Sequence, residues 1–417
     1  MLWQPELPDQ YSRLSEDEVD AQITTRRQEL GSNLVILGHH YQQDDVIKHA
    51  DFTGDSFKLS QLAAEKVRES GGKYIIFCGV HFMAESADIL TPDDVKVILP
   101  DLSAGCSMAD MADYDQTCQA WEEIHEALES DDSHSIRVIP ITYMNSSAAI
   151  KAFVGKHGGA VCTSSNADAV FEWALNGGDE PISNGEEIKI LFLPDQHLGR
   201  NTAHAFGFTT EVDAERTGDP PQTVVWDPHQ EFGGLSFDQI LSAKVILWKG
   251  HCSVHMLFRP EHVLQLREAD EYVRIVVHPE CRQEVVDLAD ESGSTGYILK
   301  AIHENAKPGD RWAVGTEIHL VNRLADEMKE EGIKIESLSG CQCMCTTMYR
   351  ISPQRLLWAL DNLAEGKIVN QISVHPDARE WAVVALDRML KLIGDGGSNR
   401  NGPHPHSSAK PKAVTAS

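Results

Sequence analysis

Three cysteine settings in this chain have the chemistry to hold a metal cluster. Cys106 lies in Ala104-Gly-Cys-Ser-Met-Ala-Asp110, Cys252 in Trp248-Lys-Gly-His-Cys-Ser-Val-His255, and Cys343 is the middle of Cys341-Gln-Cys-Met-Cys345. They lie too far apart to form a local zinc knuckle. Each occupies a Gly- or Met-rich turn next to a predicted strand end. One thiolate from each of three places could hold an iron–sulfur cluster and leave one iron without a protein ligand. Such an iron is a Lewis acid as well as an electron carrier. Cys78 and Cys162, in apolar strand-like runs, and Cys118 read as buried small hydrophobes. Cys281, beside His278 and Glu280, is open to either reading.

These cysteines must be positioned by something, and the pattern around them is α/β. Short apolar strands alternate with helical periodicity, which predicts parallel sheets. The alternation reads as one unit run three times. The first strand of each unit ends in polar side chains: His39-His40-Tyr41, Tyr143-Met-Asn145 and His278-Pro-Glu280-Cys281. The second leads to Cys78-Gly-Val-His81, to Thr163-Ser164-Ser165-Asn166, and in the third unit to Gly293-Ser294-Thr295, with no strand recognisable before it. The third leads to Leu99-Pro-Asp101, Pro194-Asp195 and Thr316-Glu317, and each cysteine of interest is expected after that third strand. A period near a hundred residues means duplicated domains, not a solenoid. Ligands bind beyond the carboxyl ends of strands in open α/β sheets, so three such units facing a common centre would share one site.

The boundaries read from this pattern are an arm or short helix at 1–20, α/β domains at 21–112, 113–256 and 257–350, C-terminal helices at 351–395 and a polar, aperiodic tail at 396–417. Amphipathic helices are expected over 283–291, 353–366 and 377–393, the last two packing back on the fold. His404 and His406 in the tail read as solvated, not as ligands.

Composition narrows the function. The 417 residues carry a formal net charge of -28, which opposes binding to nucleic acid. It does not oppose an anionic small substrate, because backbone N–H groups at helix starts bind anions locally. No apolar run is long enough to span a bilayer, and the acidic start lacks the pattern of a signal peptide; a cytoplasmic location is expected. A zinc hydrolase is disfavoured because His251 and His255 lack the glutamate of a zinc-protease helix and no Cys-x-x-Cys occurs. A dinucleotide-dependent oxidoreductase is disfavoured because no Gly-x-Gly-x-x-Gly follows the first strand. An iron–sulfur sensor would use the same cysteines but needs a partner surface or nucleic-acid module that the sequence does not display.

Taken as a set, the motifs resemble one family. His39-His-Tyr41-Gln, Ala50-Asp-Phe-Thr-Gly-Asp-Ser56, Gly105-Cys106-Ser-Met-Ala-Asp, Tyr143-Met-Asn145-Ser-Ser, Cys162-Thr-Ser164-Ser-Asn, Pro194-Asp195, Lys249-Gly-His-Cys252-Ser-Val-His255, His278-Pro-Glu280-Cys and Gly315-Thr-Glu317 are similar to quinolinate synthases over roughly residues 20–395. The resemblance implies a transferase-type condensation and dehydration of iminoaspartate with dihydroxyacetone phosphate to quinolinate, phosphate and water, in pyridine nucleotide (NAD) biosynthesis. Iminoaspartate would be supplied by an aspartate-oxidising enzyme. The resemblance further implies three related α/β domains in pseudo-threefold arrangement around a [4Fe–4S] cluster held by Cys106, Cys252 and Cys343, the last placed five residues before Met348. Cys341 and Cys345 flank it, each a ligand, a redox partner or inert. The expected substrate positions are His39, Ser56, Tyr143, Asn145, Ser164, His255, His278, Glu280, Ser294 and Thr295. Glu280 leads as the acid/base, with Tyr41, His39 and Tyr143 the other catalytic candidates. Taken singly, Ser56 reads better as a helix cap, Tyr143 as core and Glu280 as a helix-start charge; their recurrence at equivalent strand ends favours function.

Overall fold

The computed structural model describes residues 4–129, 135–340 and 343–394. Cys341 and the tail with His404 and His406 lie outside the described residues.

Three separate sheets are formed in chain order. The first contains β1 (Leu34–His39), β2 (Phe52–Gly54), β3 (Tyr74–Cys78) and β4 (Lys96–Ile98). The second contains β5 (Ser135–Tyr143), β6 (Ala160–Cys162), β7 (Glu186–Leu193), β8 (Thr223–Trp226) and β9 (Val245–Trp248). The third contains β10 (Arg274–Val277), β11 (Glu291–Ser292), β12 (Arg311–Gly315) and β13 (Lys334–Ser337). A last strand, β14 (Gln371–Ile372), returns to the first sheet and pairs antiparallel with β4. All the other pairings are parallel. The sheets share one four-strand order: β2-β1-β3-β4, β6-β5-β7-β9 and β11-β10-β12-β13, with β8 and β14 added at edges.

This order corrects the strand count of the sequence reading. Asp195 and Glu317 follow the third strand of the common order, but Asp101 follows the fourth. The equivalent of Asp195 and Glu317 in the first unit is at Val80, beyond β3. The difference arises because β2 has three residues and β9 and β13 four each, too few to show a strand periodicity. Each cysteine segment therefore follows the fourth strand: Cys106 after β4, Cys252 after β9, and Cys343 with Cys345 after β13. The strand missing before Gly293 is β11, whose two residues pair with Val276 and Val277 of β10. The helix expected over 283–291 stops at Leu288 to let it form.

Burial on both faces explains the continuous apolar runs of these strands. Ile36 and Leu37, Ile75 to Cys78, and Leu191 to Leu193 are all buried. In the third unit the alternation of side chains puts Val277 in one core with Phe258, Val285, Cys281 and Cys343, and Val276 in another with Ile302, Trp312 and Leu324.

The chain ends brace the first two units. Ser15 and Glu18 form a capping box that starts helix Glu16–Leu30. Asp361 of helix Pro353–Ala364 accepts from Tyr11 Oη at 2.9 Å and Arg26 Nε at 2.7 Å. Helix Pro376–Gly394 packs on helix Ala148–Lys156 so closely that a Cβ at Gly155 would lie 2.0 Å from the Trp381 carbonyl oxygen. Among the described residues no helix is long and apolar enough to cross a membrane.

Candidate active site

The carboxyl ends of the three sheets line one cavity. From the first unit come His39, Tyr41, Asp55, Ser56 and Cys106; from the second Tyr143, Asn145, Thr163, Ser164, Cys252 and His255; from the third His278, Glu280, Thr295 and Cys345. The strand ends place them. His39 is the last residue of β1 and Tyr143 the last of β5, while His278 directly follows β10.

The cysteine segments have one backbone geometry in three copies. The first N–H of the helix after each third strand donates to the carbonyl two residues before a cysteine: His81 N to Ala104 O at 2.8 Å, Gln196 N to Gly250 O at 3.0 Å, and Ile318 N to Cys343 O at 3.1 Å. The carbonyl of that cysteine then accepts from the N–H four residues on, at 3.1 Å in each case: Asp110 N to Cys106 O, Met256 N to Cys252 O, and Tyr349 N to Cys345 O. A 3₁₀ turn begins three residues after each: Ala109–Met111, His255–Leu257 and Met348–Arg350. By every one of these relations Cys345 is the counterpart of Cys106 and Cys252, and Cys343 is the counterpart of Ala104 and Gly250. Cys345, and not the expected Cys343, therefore occupies the position equivalent to Cys106 and Cys252. Cys343 is fully buried in the third unit's core, with its Sγ 3.0 Å from Ser339 Oγ, and does not line the cavity.

A hydrogen-bonded chain crosses the cavity wall. Tyr143 Oη donates to Glu280 Oε1 at 2.6 Å, and His255 Nδ1 lies 2.8 Å from Glu280 Oε2. His255 Nε2 is 3.3 Å from Thr316 Oγ1, which is 2.8 Å from Tyr41 Oη. Tyr41 Oη also meets Thr295 Oγ1 at 3.2 Å. The His255 and His278 rings stack at 4.6 Å and 18°. Thr316 is buried and was not among the expected site residues; its position one before Glu317, after a third strand, was the available signal. Asn201 Nδ2 holds the Glu280 segment by donating to the carbonyls of Pro279 and Cys281, each at 2.8 Å. Fully buried Lys151 holds the Tyr143–Asn145 turn through the carbonyls of Met144, at 2.8 Å, and Ser146.

Electrostatics assign different roles to these groups. Burial pulls His39 and His278 down to about 3, so both are neutral near pH 7. His39 Nδ1 accepts the Tyr41 N–H at 3.1 Å, and His278 Nδ1 lies 3.4 Å from the Glu280 N–H; the ring proton of each then sits on Nε2, ready to be donated. Burial would raise the Glu280 carboxyl, but His255 and the hydrogen bonds from His255 and Tyr143 outweigh it and hold Glu280 below the usual carboxylate range. Burial, then the charge of Glu280, pushes Tyr41 and Tyr143 well above 10. Tyrosines and neutral imidazoles are thus donors, and Glu280 is an ionised acceptor.

The structure does not bring every expected residue to the cavity. Ser294 caps the helix Thr295–Asn305 by accepting the Tyr297 N–H and does not line the cavity. Ser56 is the first residue of its helix; Asp55 is the cap, accepting the Lys58 N–H. Cys252, His255 and Glu280 form a donor set whose ligand atoms lie within 4.8 Å of one another. Burial raises the thiols of Cys106 (to about 12), Cys252 and Cys345; buried thiolates need a cation beside them, which suits a metal site.

Three parallel α/β units whose strand ends line one shared cavity, with a cysteine from each, define an enzyme with a composite site. A family model described as Quinolinate synthetase A protein matches residues 21–391. The chain is 53% identical over 386 residues to a quinolinate synthase of Acidobacterium capsulatum, covering 93% of this chain and 96% of that one. It is 49% identical over 393 residues to one of Rhodopirellula baltica, covering 92% and 93%, and 50% identical over 391 residues to one of Herpetosiphon aurantiacus, covering 94% and 96%. The chain belongs to the quinolinate synthase family.

Proposed function

We propose that this enzyme condenses iminoaspartate with dihydroxyacetone phosphate, giving quinolinate, phosphate and water, in the cytoplasm, and that an aspartate-oxidising enzyme supplies the first substrate. The observation that carries the reading is the convergence of three equivalent cysteine segments on a cavity also lined by Tyr143, Glu280, His255 and Tyr41, which one hydrogen-bonded chain joins through Thr316.

Cys106, Cys252 and Cys345 would hold the [4Fe–4S] cluster. The donor set fits: three thiols on three matching turns, with no fourth cysteine lining the cavity among the described residues. When bound, the cluster supplies an iron with an open position, able to act as a Lewis acid toward a carboxylate, a hydroxyl or the ring nitrogen.

The side chains do the rest. Neutral His39 and His278 donate from Nε2 to the carboxylates of the iminoaspartate half. Asn145 and Ser164 add polar contacts, and Ser56 and Thr295, each the first residue of a helix, bind the phosphate or a carboxylate with help from the helix N-termini. Ionised Glu280 takes a proton from the condensing intermediate, and the hydrogen-bonded hydroxyls of Tyr143 and Tyr41 return protons as water departs. Enclosure by three units excludes bulk water from reactive imine and enamine species.

The test is an anaerobic assay with both substrates, iminoaspartate being generated in place. Quinolinate formation that depends on both substrates and on reconstituted cluster supports the reading. Protein that binds a cluster and forms no quinolinate would refute it.

A further inference from the structure

Glu317 makes a contact that neither of its counterparts makes. The helix following the third strand of each sheet begins at an equivalent cap: Val80, Asp195 and Glu317. Val80 provides no side-chain cap. Asp195 uses Oδ1 alone, accepting from His197 N at 2.7 Å and Leu198 N at 2.8 Å, and its Oδ2 is buried without a hydrogen-bond partner among the described residues. Glu317 is one methylene longer. Its Oε2 does the capping, accepting from His319 N at 2.8 Å and Leu320 N at 3.4 Å. Its Oε1 reaches on to the backbone N–H of Cys345, at 3.3 Å.

The reach is fixed from both sides. His319 Nδ1 lies 2.9 Å from the same Oε1, and the His319 ring stacks on Tyr349 at 5.8 Å and 14°, four residues beyond Cys345. Glu317 is fully buried. Bulk water therefore does not compete for these oxygens, and a hydrogen bond to a buried carboxylate is of the stronger kind. Ile318 N already ties Cys343 O to the same helix start. The segment Cys343–Cys345 is thus docked on the helix Ile318–Lys329 by one backbone bond and one carboxylate.

We propose that Glu317 is a positioning residue for the cluster: it caps its helix with one oxygen and with the other anchors the backbone of Cys345, so that the third thiolate is held where the other two converge. The inference rests on the reading of Cys106, Cys252 and Cys345 as cluster ligands. It assigns Glu317 a role outside the cavity, since Glu317 does not line it.

Two substitutions separate anchoring from capping. Aspartate is a strong helix cap, and at Asp195 an aspartate caps the equivalent helix while its second oxygen reaches nothing. Glu317→Asp keeps the cap and loses the reach to Cys345. Glu317→Gln keeps the reach with one carbonyl oxygen but is a poor cap. The readout is the anaerobic rate at which an iron chelator bleaches the visible absorbance of the reconstituted cluster. Thermal melting of the cluster-free protein serves as the check on the fold.

Anchoring predicts cluster loss in the order Glu317→Asp fastest, Glu317→Gln intermediate and wild type slowest, with the aspartate variant on the order of 10–100-fold faster than wild type and its cluster-free melting close to wild type. Capping alone predicts the reverse order, with Glu317→Asp behaving as wild type and Glu317→Gln the more labile; that result would overturn the inference and leave the cluster reading intact. Wild-type protein that takes up no iron would overturn the cluster reading itself, and this inference with it.

Discussion

Tyr143 Oη donates to Glu280 Oε1 across 2.6 Å, joining the end of β5 in the second unit to the segment after β10 in the third. Both residues are buried. The bond keeps the phenol protonated and the carboxylate charged, so one proton is poised between two domains. Glu280→Gln keeps the shape and removes the carboxylate proposed as the base. Turnover should fall by on the order of 100-fold or more, with substrate binding and cluster content retained. A well-folded, active Glu280→Gln enzyme would remove Glu280 from the mechanism.

The cysteine assignment separates two neighbours. Cys345→Ala, like Cys106→Ala and Cys252→Ala, should purify anaerobically without the about four irons of a [4Fe–4S] cluster. Cys343→Ala should retain them, because its thiol packs in the third unit's core. Its cost should be stability, about 1 kcal/mol for a small buried side chain, read as a lower melting temperature. Iron analysis of the four variants decides the matter; loss of iron in Cys343→Ala with retention in Cys345→Ala would reverse it.

Thr316 links Tyr41 to His255 without lining the cavity. Thr316→Val preserves shape and removes the hydroxyl, leaving Tyr41 Oη with Thr295 alone. A role in proton delivery predicts a fall in kcat of roughly tenfold with little change in KM, and a changed solvent isotope effect. A purely packing role predicts an unchanged isotope effect.

Arg323, on the third unit's helix Ile318–Lys329, clamps the loop that follows His39 and carries Tyr41 in the first. Its guanidinium donates to the carbonyls of His40 and Gln42, the latter at 2.7 Å, and to Asp44 at 2.8 Å. Gln42 Nε2 bonds Met348 O at 3.1 Å, beside the Cys345 turn. Arg323→Ala should release this loop and raise KM by about tenfold, while Arg323→Lys, which cannot reach all three acceptors, should fall between. Equal KM in all three proteins would show that the clamp is dispensable.

Acid should destabilise the protein from about pH 6.5 downward. His39 and His278 titrate near 3 when folded and near 6.5 when unfolded. Between those values the unfolded chain binds more protons, so stability falls as pH falls, by roughly 1.4 kcal/mol per pH unit for each histidine. Glu280, depressed in the fold, adds to the loss as pH drops below the ordinary carboxylate range. Unfolding midpoints measured from pH 7 to pH 4 should decline, and His39→Gln should flatten the decline. An unchanged slope in that variant would show that His39 does not carry it.

Much of this enzyme was legible in the amino-acid order. Apolar runs ending in His39, Tyr143 and His278 announced three parallel α/β units, because a strand buried on both faces is apolar throughout and turns polar only where it meets a site. Cys106 and Cys252 could be singled out because each stands alone in its turn. Other features depended on contacts distant in sequence. The strands β2 and β11, of three and two residues, exist through pairing with β1 and β10 and carry too few side chains for any periodicity. Ser294 and Thr295 are adjacent and chemically alike, but the turn of the helix makes the first a cap and brings the second to the cavity. Cys343 and Cys345 lie in an irregular turn where spacing does not encode direction. The bond from Ile318 N to Cys343 O, set by where β12 delivers the next helix, fixes which of the two cysteines lines the cavity with Cys106 and Cys252.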